Sequence, residues 1–573
     1  MKLKSFKVKN YKVFKEFFSV NFISNQGAAS EGKFFTILTG KNNMGKSTFL
    51  EAINEFFKEV KAANKINGDC FNNKSNPVVL EAEIIITEDD IKLRELFVEY
   101  DIITSESTDT IILTVTKSYD LDKAPNYSII LNDEQVGNKN FVKKFGEFIS
   151  EEQPYYIRPN MTIEEIDKLV SSIYSDAIIS SSESETAELG KINKNIQEIM
   201  RKLKLETDGI LRSVETEVSS TLNNLFQGQA LQIKIQGGEP TGFSIVDLLK
   251  NSDTKITIDS SSRQDMLLSE QGTGVQRMSL IYIIQKLIEK GIGNLGNRML
   301  LVDEPEAFLH PEATRGLSDS LYRISDSMPI IITTHSPILI NLEKNHTIID
   351  IFRIDKNDSK AVTLFNSESS QFEDDDKNNM KVLNYVDSYV NEFFFSDKVI
   401  IVEGSTEKFA LKYIQKEYGS AFHVLEARGK STICTLMKIL NQFDSSYYVL
   451  HDIDNNPSFD PPTLKSERTK CKSILDLKPS NAQVYASCYT FEAAFYGSAV
   501  PSSKKTQRIY EILESKDGQD FELRSQILNT FNAIFDLKIE EFSKENLNDN
   551  VHKIETHEQI EGFFEKYLSQ IVK

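Results

Sequence analysis

A glycine-rich turn near the start of the chain has residue types and spacing suited to phosphate binding. In FFTILTGKNNMGKSTFLEAI, an apolar run ends at Gly40 and a helical pattern follows the turn. The glycines let backbone amides approach phosphate oxygens, Lys46 can reach the β- and γ-phosphates, and Ser47 can ligate Mg²⁺. The candidate nucleotide contacts are Gly40, Asn43, Gly45, Lys46, Ser47 and Thr48.

Two consecutive carboxylates end a second apolar run, RMLLVDEPEAFLHP. Asp303 can hold the magnesium ion directly or through water, and Glu304 is placed to polarise the attacking water. A further strand pattern, MPIIITTHSP, ends in His335, which could sense the γ-phosphate. A chance glycine turn is the alternative reading of the first motif, and this second acidic run argues against it. The two stretches together predict a nucleotide site with Mg²⁺, at which an attacking water is polarised.

Five more carboxylates lie at the ends of three later apolar runs. VIIVEGSTEKF carries Glu403 and Glu407, YYVLHDIDNN carries Asp452 and Asp454, and VYASCYTFE ends in Glu492. Clustered acids repel one another unless cations neutralise them, and oxygen-only ligands suit Mg²⁺ or Mn²⁺. Because all five fit at the carboxyl edge of one sheet, they predict two-metal cleavage of a phosphodiester.

The charge balance of the 573-residue chain is acidic. It has 85 acidic and 66 basic residues, for a net charge of −19. Proteins that coat nucleic acid are usually basic, because neutralising phosphates releases counterions. The composition therefore argues against a passive DNA-coating protein, although a local groove can still be positive. It agrees with carboxylates gathered around metal ions.

The cysteines and the apolar runs indicate the compartment. Four widely spread cysteines without a C-x-x-C pair argue against a disulfide framework or a zinc site. No run approaches the roughly 18 consecutive apolar residues of a membrane span. The start, MKLKSFKVKNYKVF, lacks the apolar core of a signal peptide. We therefore expect a soluble, cytoplasmic protein with no membrane partner.

The apolar runs that carry these residues predict strands, and the segments between them predict helices. Two strands around a turn near Asn10 and Tyr11 are expected first. The other strands of the first part are expected at 33–40, 76–87, 110–119, 231–236, 298–304 and 328–335. After the acidic stretch ESSQFEDDDKNN, strands again alternate with helices, which predicts a second α/β domain with a mainly parallel sheet.

The order of the motifs TGKNNMGKST, SEQGTGVQR, LLVDEPEAFLHP and TTHSP resembles the ABC-type ATPases of the SMC and RecF group. In that group a signature turn of one subunit completes the ATP site of another, so the resemblance implies a homodimer or higher homo-oligomer. The counterparts of the signature here are Thr273, Gly274 and Gln276, with Ser269 as an alternative anchor of the alignment.

The early loop NYKVF matches this ATPase group as well, which would bring Lys12 near phosphate. A surface lysine is the other reading of Lys12. The group inserts either a long coiled coil or a compact lobe between its two halves. The polar, helical insertion here is too short and too weak in heptad pattern for a coiled-coil arm. A compact lobe fits better, and both a solvated arm and a dimer contact stay open.

The carboxylate pattern E-G-x-x-E with D-x-D resembles the Toprim domain of topoisomerases, primases and certain nucleases. In the loop EARGKS, Lys430 could touch a substrate phosphate or be an ordinary surface lysine. Toprim nucleases of this kind also use a carboxyl-terminal lysine, for which Lys553 is the candidate, with Lys544 as the alternative. A topoisomerase would need a tyrosine domain and a primase a zinc module, and the sequence indicates neither.

An ABC-type ATPase followed by Toprim on one chain resembles the OLD (overcoming lysogenization defect) family, which includes the Gabija nuclease subunit and retron-associated effectors. The fold expected from the resemblance is α/β throughout. The segments are an ATPase first half (1–150), a helical insertion (151–230), an ATPase second half (231–365), a linker (366–390) and a Toprim nuclease domain with a C-terminal helical region (391–573).

The resemblance implies an ATP-regulated, metal-dependent DNA endonuclease that acts in anti-phage defence. Its expected cofactors are ATP and Mg²⁺ or Mn²⁺. Its expected partners are DNA, further copies of the chain, and a second defence protein or a retron nucleic acid. The alternative hypothesis is a non-nucleolytic, ATP-driven DNA clamp or sensor that works with a partner effector. A complete carboxylate set argues against that alternative, since a scaffold has no use for five gathered acids.

Overall fold

The computed structural model of the protein divides into two compact units, Met1–Ala361 and Val362–Lys573. The residues that it describes are 2–22, 35–59, 65–88, 90–103, 110–131, 133–182, 192–226, 231–236, 255–259, 263–290, 298–340, 342, 349–363, 372–386, 388–443, 445–456, 458–497, 500–543 and 547–571.

A parallel sheet at the centre of the first unit carries the nucleotide motifs. Its neighbouring strands are, in order, β14 (Ile349–Arg353), β3 (Phe35–Thr39), β13 (Ile330–Thr333), β12 (Leu300–Asp303) and β8 (Tyr155–Ile157). Every residue of β3, β12 and β13 is buried, as expected for strands covered on both faces. Parallel pairing puts the carboxyl ends of these strands at one edge of the sheet.

An antiparallel sheet lies on the other side of helix α1 (Lys46–Phe57). Its order is β2 (Phe18–Asn21), β1 (Lys2–Lys9), β4 (Val78–Ile86), β5 (Ile111–Tyr119), β6 (Asn126–Leu131) and β7 (Glu134–Gln135). Helices α2 (Ile91–Glu99) and α3 (Lys139–Glu151) complete this part. Helix α1 contacts strands of both sheets, and the ring of Phe49 meets that of Phe6 edge-on at 5.5 Å. The phosphate-loop helix is therefore held between two apolar surfaces.

A helical region follows β8. It comprises α4 (Ile163–Ser182) and α5 (Ile192–Leu225), and a small antiparallel sheet of β9 (Gln232–Gln236), β10 (Lys255–Asp259) and β11 (Met266–Leu267). Helix α5 packs against β9, α6 (Thr273–Glu289) and α7 (Pro311–Ile324). The described helices therefore pack onto the ATPase half that follows them.

The second unit is built on a sheet of the order β17 (His423–Glu426), β16 (Val399–Val402), β18 (Tyr447–Asp452), β19 (Ala482–Ser487) and β20 (Val551–Lys553). The first four strands are parallel and β20 is antiparallel to β19. Its helices are α8 (Asp374–Val386), α9 (Ser405–Tyr418), α10 (Lys430–Gln442), α11 (Pro461–Asp476), α12 (Phe491–Tyr496), α13 (Lys505–Glu514), α14 (Gly518–Ile534) and α15 (His557–Ile571). The short strand β15 (Val362–Thr363) opens this unit.

Two elements differ from the sequence-based expectation. Residues 155–157, placed in the insertion, form β8 of the central sheet, because their register with β12 buries Tyr155 and Ile157. The acidic stretch expected as a linker contributes to α8. There Asp376 is buried and accepts hydrogen bonds from Thr435 Oγ1 at 2.7 Å and Lys438 Nζ at 2.6 Å. A tertiary partner therefore makes an acidic segment helical.

In the part of the chain that the structure describes, every helix is too short or too polar to cross a membrane.

Candidate nucleotide and carboxylate sites

The glycine turn between β3 and α1 requires its two glycines. Gly40 has a φ of 127° and Gly45 a φ of 104°, conformations that side chains disfavour. A Cβ atom on Gly40 would lie 2.8 Å from Ile354 O, and one on Gly45 would lie 2.6 Å from Phe14 Cζ. Asn43 is exposed in the turn with a φ of 62°, and Thr48 follows in the first turn of α1. The predicted phosphate cradle is thus formed from backbone that has no room for side chains.

The ammonium of Lys46 folds back over this turn. Its Nζ donates hydrogen bonds to Gly40 O at 2.8 Å and to Lys41 O at 2.7 Å. Burial lowers the pKa of Lys46 to about 8, partly opposed by the nearby charges of Glu304 and Asp303. A desolvated ammonium whose hydrogen-bond partners are uncharged is well suited to take up a phosphate group.

Asp303, the last residue of β12, lies beside the start of α1. Its Oδ1 accepts a hydrogen bond from Ser47 Oγ at 2.8 Å and another from Thr333 Oγ1 on β13. Burial raises the pKa of Asp303, and these two hydrogen bonds oppose the shift. The structure thus brings together the serine and the aspartate predicted to hold Mg²⁺.

Glu304 and His335 lie at the ends of neighbouring strands. The backbone amide of Glu304, which has a φ of 45°, donates to Thr333 Oγ1 at 2.9 Å. His335 Nε2 lies 3.9 Å from Glu304 Oε1. Burial, followed by the charge of Lys46, lowers the pKa of His335 to about 4. His335 is therefore neutral near pH 7, and its contact with Glu304 is not an ion pair.

Two residues that sequence reasoning missed, the half-buried Glu306 and the buried Arg277, support this edge. Glu306 Oε1 accepts hydrogen bonds from Thr334 Oγ1 at 2.8 Å, His335 N at 2.7 Å and Ser336 N at 3.0 Å. Arg277 donates to Glu304 O at 2.5 Å and also to Asp303 O and Ala307 O. Glu306 directly follows the Asp-Glu-Pro run, and this position in the sequence could have marked it as part of the site. For Arg277 the sequence offered no signal beyond its place after the signature turn.

The predicted signature residues have different environments. Thr273 is half-buried at the start of α6, next to the exposed Gly272. A Cβ on Gly274 would lie 3.0 Å from Phe308 O, so this glycine packs against the turn after β12. Gln276 is buried and its Nε2 donates to Ser269 O at 2.9 Å and Gln271 O at 2.7 Å. Its amide therefore holds the turn in shape, and the exposed backbone around Gly272 is what remains available to a ligand.

Lys12 lies beside α1. It has a φ of 49°, and its Nζ pairs with the carboxylate of Glu51 on α1. Both residues line a cleft of about 610 Å³ that also includes Tyr156 and Arg158. The structure therefore places Lys12 beside the phosphate-loop helix and does not show it in contact with the loop.

The second unit brings the five predicted carboxylates to the carboxyl edge of its sheet. Glu403 follows β16 and Asp452 ends β18, the neighbouring strand. Glu403 Oε2 accepts a hydrogen bond from Asp452 N at 3.0 Å. Burial, with the negative charges of Glu407, Glu403 and Asp454, raises the pKa of Asp452 well above its usual range.

Glu407 lies in the first turn of α9, which starts directly after Gly404. A Cβ on Gly404 would lie 3.0 Å from Glu407 Oε2, so the glycine leaves room for this carboxylate. Glu407 is only 3% exposed. Burial and the negative charges of Glu492 and Glu403 raise its pKa to about 8. Such proximity of like charges is the electrostatic signature of a cation site.

Glu492 reaches the same edge from the start of α12, after β19. Its Oε1 accepts a hydrogen bond from Thr406 Oγ1 at 2.9 Å, and its Oε2 accepts one from Lys505 Nζ at 2.9 Å. Lys505, on α13, was not among the sequence candidates. Because it lies 13 residues after Glu492 and in another helix, no local motif marked it.

Lys430 does not lie on the surface, in contrast to one of the two sequence readings. It is buried, and its ammonium contacts Glu403, Asp454 and Glu467. Asp454, with a φ of 57°, is held in place by a hydrogen bond from its amide to Tyr489 O at 2.8 Å. Glu467, on α11, was also missed, because a helical acid followed by Lys470 reads as an ordinary solvated pair.

The structure does not bring Lys553 to the carboxylates. Strand β20 runs antiparallel to β19 and pairs Lys553 with Tyr485, two residues before the end of β19 at Ser487. The side chain of Lys553 is 45% exposed, and its ammonium pairs with Glu555 at 2.7 Å. In the described part of the chain, Lys505 is the carboxyl-terminal lysine that contacts the cluster, through Glu492. Lys544, the alternative candidate, lies outside the described residues.

The donor set of this edge fits a divalent cation. All five side chains are carboxylates, and the Oδ1 atom of Asp452 is buried without a hydrogen bond to any described residue. Among the described residues no three acidic, cysteine or histidine side chains converge tightly enough to hold a metal as they stand. Lys430 lies between Glu403 and Asp454, and Thr406 and Lys505 contact Glu492. The residues that would hold a cation are Glu403, Glu407, Asp452, Asp454 and Glu492.

The fold and the two sites define an ATPase domain joined to a Toprim domain, and comparison with known families agrees. A family model described as "AAA domain, putative AbiEii toxin, Type IV TA system" matches residues 35–341, more than half of the chain. A model described as "Overcoming lysogenization defect protein-like, TOPRIM domain" matches residues 394–454. The chain belongs to this AAA-domain family, and its Toprim domain is of the OLD type.

Individual proteins resemble the chain over most of its length. The Old nuclease of Escherichia phage P2 is 25% identical over 468 residues, which cover 76% of each chain. Endonuclease GajA of Bacillus cereus (strain HuB5-5) is 23% identical over 518 residues, covering 75% of this chain and 74% of GajA. A solved SMC head bound to the C-winged helix domain of ScpA has a TM-score of 0.39 and 13% identity, covering 64% of this chain and 98% of that one.

These matches confirm the OLD-family resemblance and the predicted α/β fold class, an ABC-type ATPase followed by Toprim. They also confirm the prediction of an enzyme with an ATPase domain and a nuclease domain. The roles assigned to individual residues and the finer domain boundaries stay predictions.

Proposed function

We propose that this protein is an ATP-regulated, divalent-metal-dependent DNA endonuclease of anti-phage defence. The observation that carries the proposal is that two sets of residues in one chain lie at the carboxyl ends of parallel strands, one set in each of two sheets. One set is Lys46, Ser47, Asp303, Glu304 and His335. The other is the five-carboxylate cluster around Asp452. Each arrangement leaves buried charges incompletely paired, which is costly unless a ligand completes the pairing.

In the first set, Lys46 binds the phosphates, Ser47 and Asp303 hold Mg²⁺, and Glu304 orients the attacking water. His335, neutral near pH 7, can donate or accept a hydrogen bond at the γ-phosphate. The exposed turn at Gly272 serves the nucleotide of a second copy of the chain. A homodimer or a larger homo-oligomer is therefore part of the proposal.

In the second set, the carboxylates hold Mg²⁺ or Mn²⁺ and so gather the ions at one phosphodiester. When bound, these ions supply an activated water and stabilise the leaving oxygen. The printed names of the relatives, a nuclease and an endonuclease, support this chemistry for the chain. The proposed site of action is the cytoplasm, where a second defence protein or a retron nucleic acid would supply the trigger.

The test is cleavage of supercoiled plasmid by the full-length protein with Mg²⁺ or Mn²⁺ over a series of ATP concentrations. Cleavage should require the metal, change with ATP and disappear in Glu403→Ala. Glu417→Ala, an exposed acid at the other end of α9, is the matched control. In Lys46→Ala the response to ATP should be lost, whereas Lys143→Ala on the exposed side of α3 should keep it.

Two results would contradict the proposal. If Lys46→Ala leaves cleavage and its nucleotide dependence unchanged, ATP does not regulate the nuclease. If no condition gives cleavage while ATP hydrolysis is intact, the clamp or sensor function takes the place of the nuclease.

A further inference from the structure

Lys430 is held at the carboxylate edge by a turn that local sequence dictates. Strand β17 ends at Glu426, and the chain then turns through Arg428, with a φ of 60°, and Gly429, with a φ of 141°. The second conformation suits glycine alone. Lys430 follows as the first residue of α10, and its side chain is only 1% exposed. The turn therefore directs a long cationic side chain inward at the sheet edge.

The ammonium of Lys430 lies among carboxylates from three separate elements. Its Nζ is 3.5 Å from Glu403 Oε1 after β16 and 2.9 Å from Glu467 Oε2 on α11, and it pairs closely with Asp454 after β18. An ammonium has three hydrogen-bond donors, and each has a carboxylate here. In this arrangement no donor is left for a phosphate, so a contact with substrate would require one of these pairs to break.

The other end of the cluster has fewer positive charges for its carboxylates. Glu407 and Glu492 are buried, and Asp452 has the buried oxygen without a hydrogen bond to a described residue. The cation at this end, Lys505, contacts Glu492 from the rim, with its side chain 32% exposed. Among the described residues, this end therefore has three carboxylates and a single lysine, whose side chain can move into solvent.

The net charge of the carboxylate cluster favours one bound divalent ion over two. Once a bound cation has displaced the protons of the buried acids, the six carboxylates of the cluster, with Glu467 included, face the ammonium groups of Lys430, Lys470 and Lys505, which leaves three negative charges. One divalent ion reduces this to a single negative charge. A second would make the buried region positive and would have to lie against the ammonium of Lys430. Repulsion at such contact distances is strong in a buried site.

We propose that Lys430 is a built-in cation that takes the place of one divalent ion at Glu403 and Asp454. The carboxylates at the other end, Glu407, Asp452 and Glu492, then take up one divalent ion in the DNA-free protein by drawing closer together than they lie in this structure. This inference rests on the proposed metal-dependent nuclease and makes it specific. The second ion, where the reaction needs one, enters only when Lys430 withdraws.

The test counts tightly bound Mn²⁺ by calorimetry and by electron paramagnetic resonance on metal-stripped, full-length protein without nucleotide. All proteins carry Asp303→Asn, which removes the ATP-site ligand from the count. This parent should bind one Mn²⁺ with the spectrum of an isolated ion. Adding Lys430→Met, a neutral side chain of similar length, should tighten a second Mn²⁺ site at least about a hundredfold.

Lys438→Met is the matched control, because Lys438 lies on the same helix and pairs with Asp376 at 2.6 Å, outside the cluster. It should keep the count at one. Two tight, spin-coupled Mn²⁺ ions in the parent would overturn the inference and leave the nuclease proposal intact. Absence of any tight Mn²⁺ in the parent would overturn both. Should Lys430→Met fail to fold, the parent spectrum alone decides between one ion and a coupled pair.

Discussion

The nucleotide site and the carboxylate site balance their charges in opposite ways. At the nucleotide site Lys46 donates to two backbone carbonyls and Asp303 accepts from two hydroxyls, so both charges have uncharged partners. At the carboxylate site Lys430 and Lys505 pair directly with Asp454 and Glu492. The nucleotide site thus has one positive and one negative group that are not paired with an opposite charge and can bind a ligand. The carboxylate site neutralises part of its own negative charge with lysines.

This difference indicates what each site is built to receive. A metal-bound triphosphate brings negative phosphates to Lys46 and a positive ion to Asp303, and so satisfies both at once. The carboxylate site accepts cations alone, and its lysines limit how many. The pKa directions agree, because burial lowers the pKa of Lys46 and raises that of Asp303 where no opposite charge is paired with them. Four experiments, from the largest expected effect to the smallest, test this contrast.

Asp303→Asn should abolish hydrolysis and leave the fold intact. The asparagine Oδ1 can still accept from Ser47 and Thr333, but it lacks the charge that holds Mg²⁺. We expect ATP turnover to fall about a thousandfold, while the melting temperature stays the same or rises, since burial disfavours the charged carboxylate. Steady-state Mg²⁺-dependent ATP hydrolysis and thermal unfolding measure the two quantities. Asp319→Asn, exposed on α7, is the control, and a tenfold loss or less would contradict the assignment.

Lys505→Met should lower both the stability of the metal-free protein and its cleavage activity, and Lys553→Met should lower neither. Without Lys505, Glu492 loses its cation, so the metal-free protein should lose about 1–2 kcal/mol of stability. Cleavage should fall at least about tenfold. Saturating Mn²⁺ should restore most of the melting temperature, because the ion replaces the lost charge. If Lys553→Met alone reduces cleavage, the assignment from the structure is wrong and the one from the sequence is right.

ATP binding should weaken as the pH rises through about 8. Burial lowers the pKa of Lys46 to about 8 in the nucleotide-free protein. Above that pH the ammonium must regain a proton to bind phosphate, so the dissociation constant should rise about tenfold per pH unit. Titration of a fluorescent ATP analogue between pH 7 and 9.5 measures this. Lys46→Arg keeps its charge over the whole range, and an equally steep dependence in that variant would assign the effect to another group.

Glu306 should act through the backbone of the loop that carries His335. Glu306→Ala removes the acceptor for Thr334, His335 and Ser336, so kcat for ATP should fall about fivefold to tenfold with KM nearly unchanged. Glu306→Gln keeps a carbonyl oxygen at the same place and should retain activity within about threefold. Equal losses in both variants would show that the charge of Glu306 matters rather than its position.

Much of both sites followed from local sequence. The turn from Gly40 to Ser47 is contiguous, and the acids that follow β12, β16 and β18 each end an apolar strand. Parallel strands place such ends at one edge, so their proximity could be predicted without knowing the packing. The helix Asp374–Val386 could not be predicted in this way. Its acidic segment is stabilised by a contact between Asp376 and Lys438, which lies 62 residues later in the chain.

The sequence by itself determined the class of protein, the phosphate cradle and the carboxylate edge, because strand, turn and helix patterns fix where a strand ends. Only the tertiary structure decided the ionic partners. Lys430 reaches Glu403, Asp454 and Glu467 from 24 to 37 residues away, and Lys505 rather than Lys553 meets Glu492. The physical reason is the length of a lysine side chain. Its charge can act several ångströms from its backbone, so its partner depends on how helices pack and not on spacing along the chain.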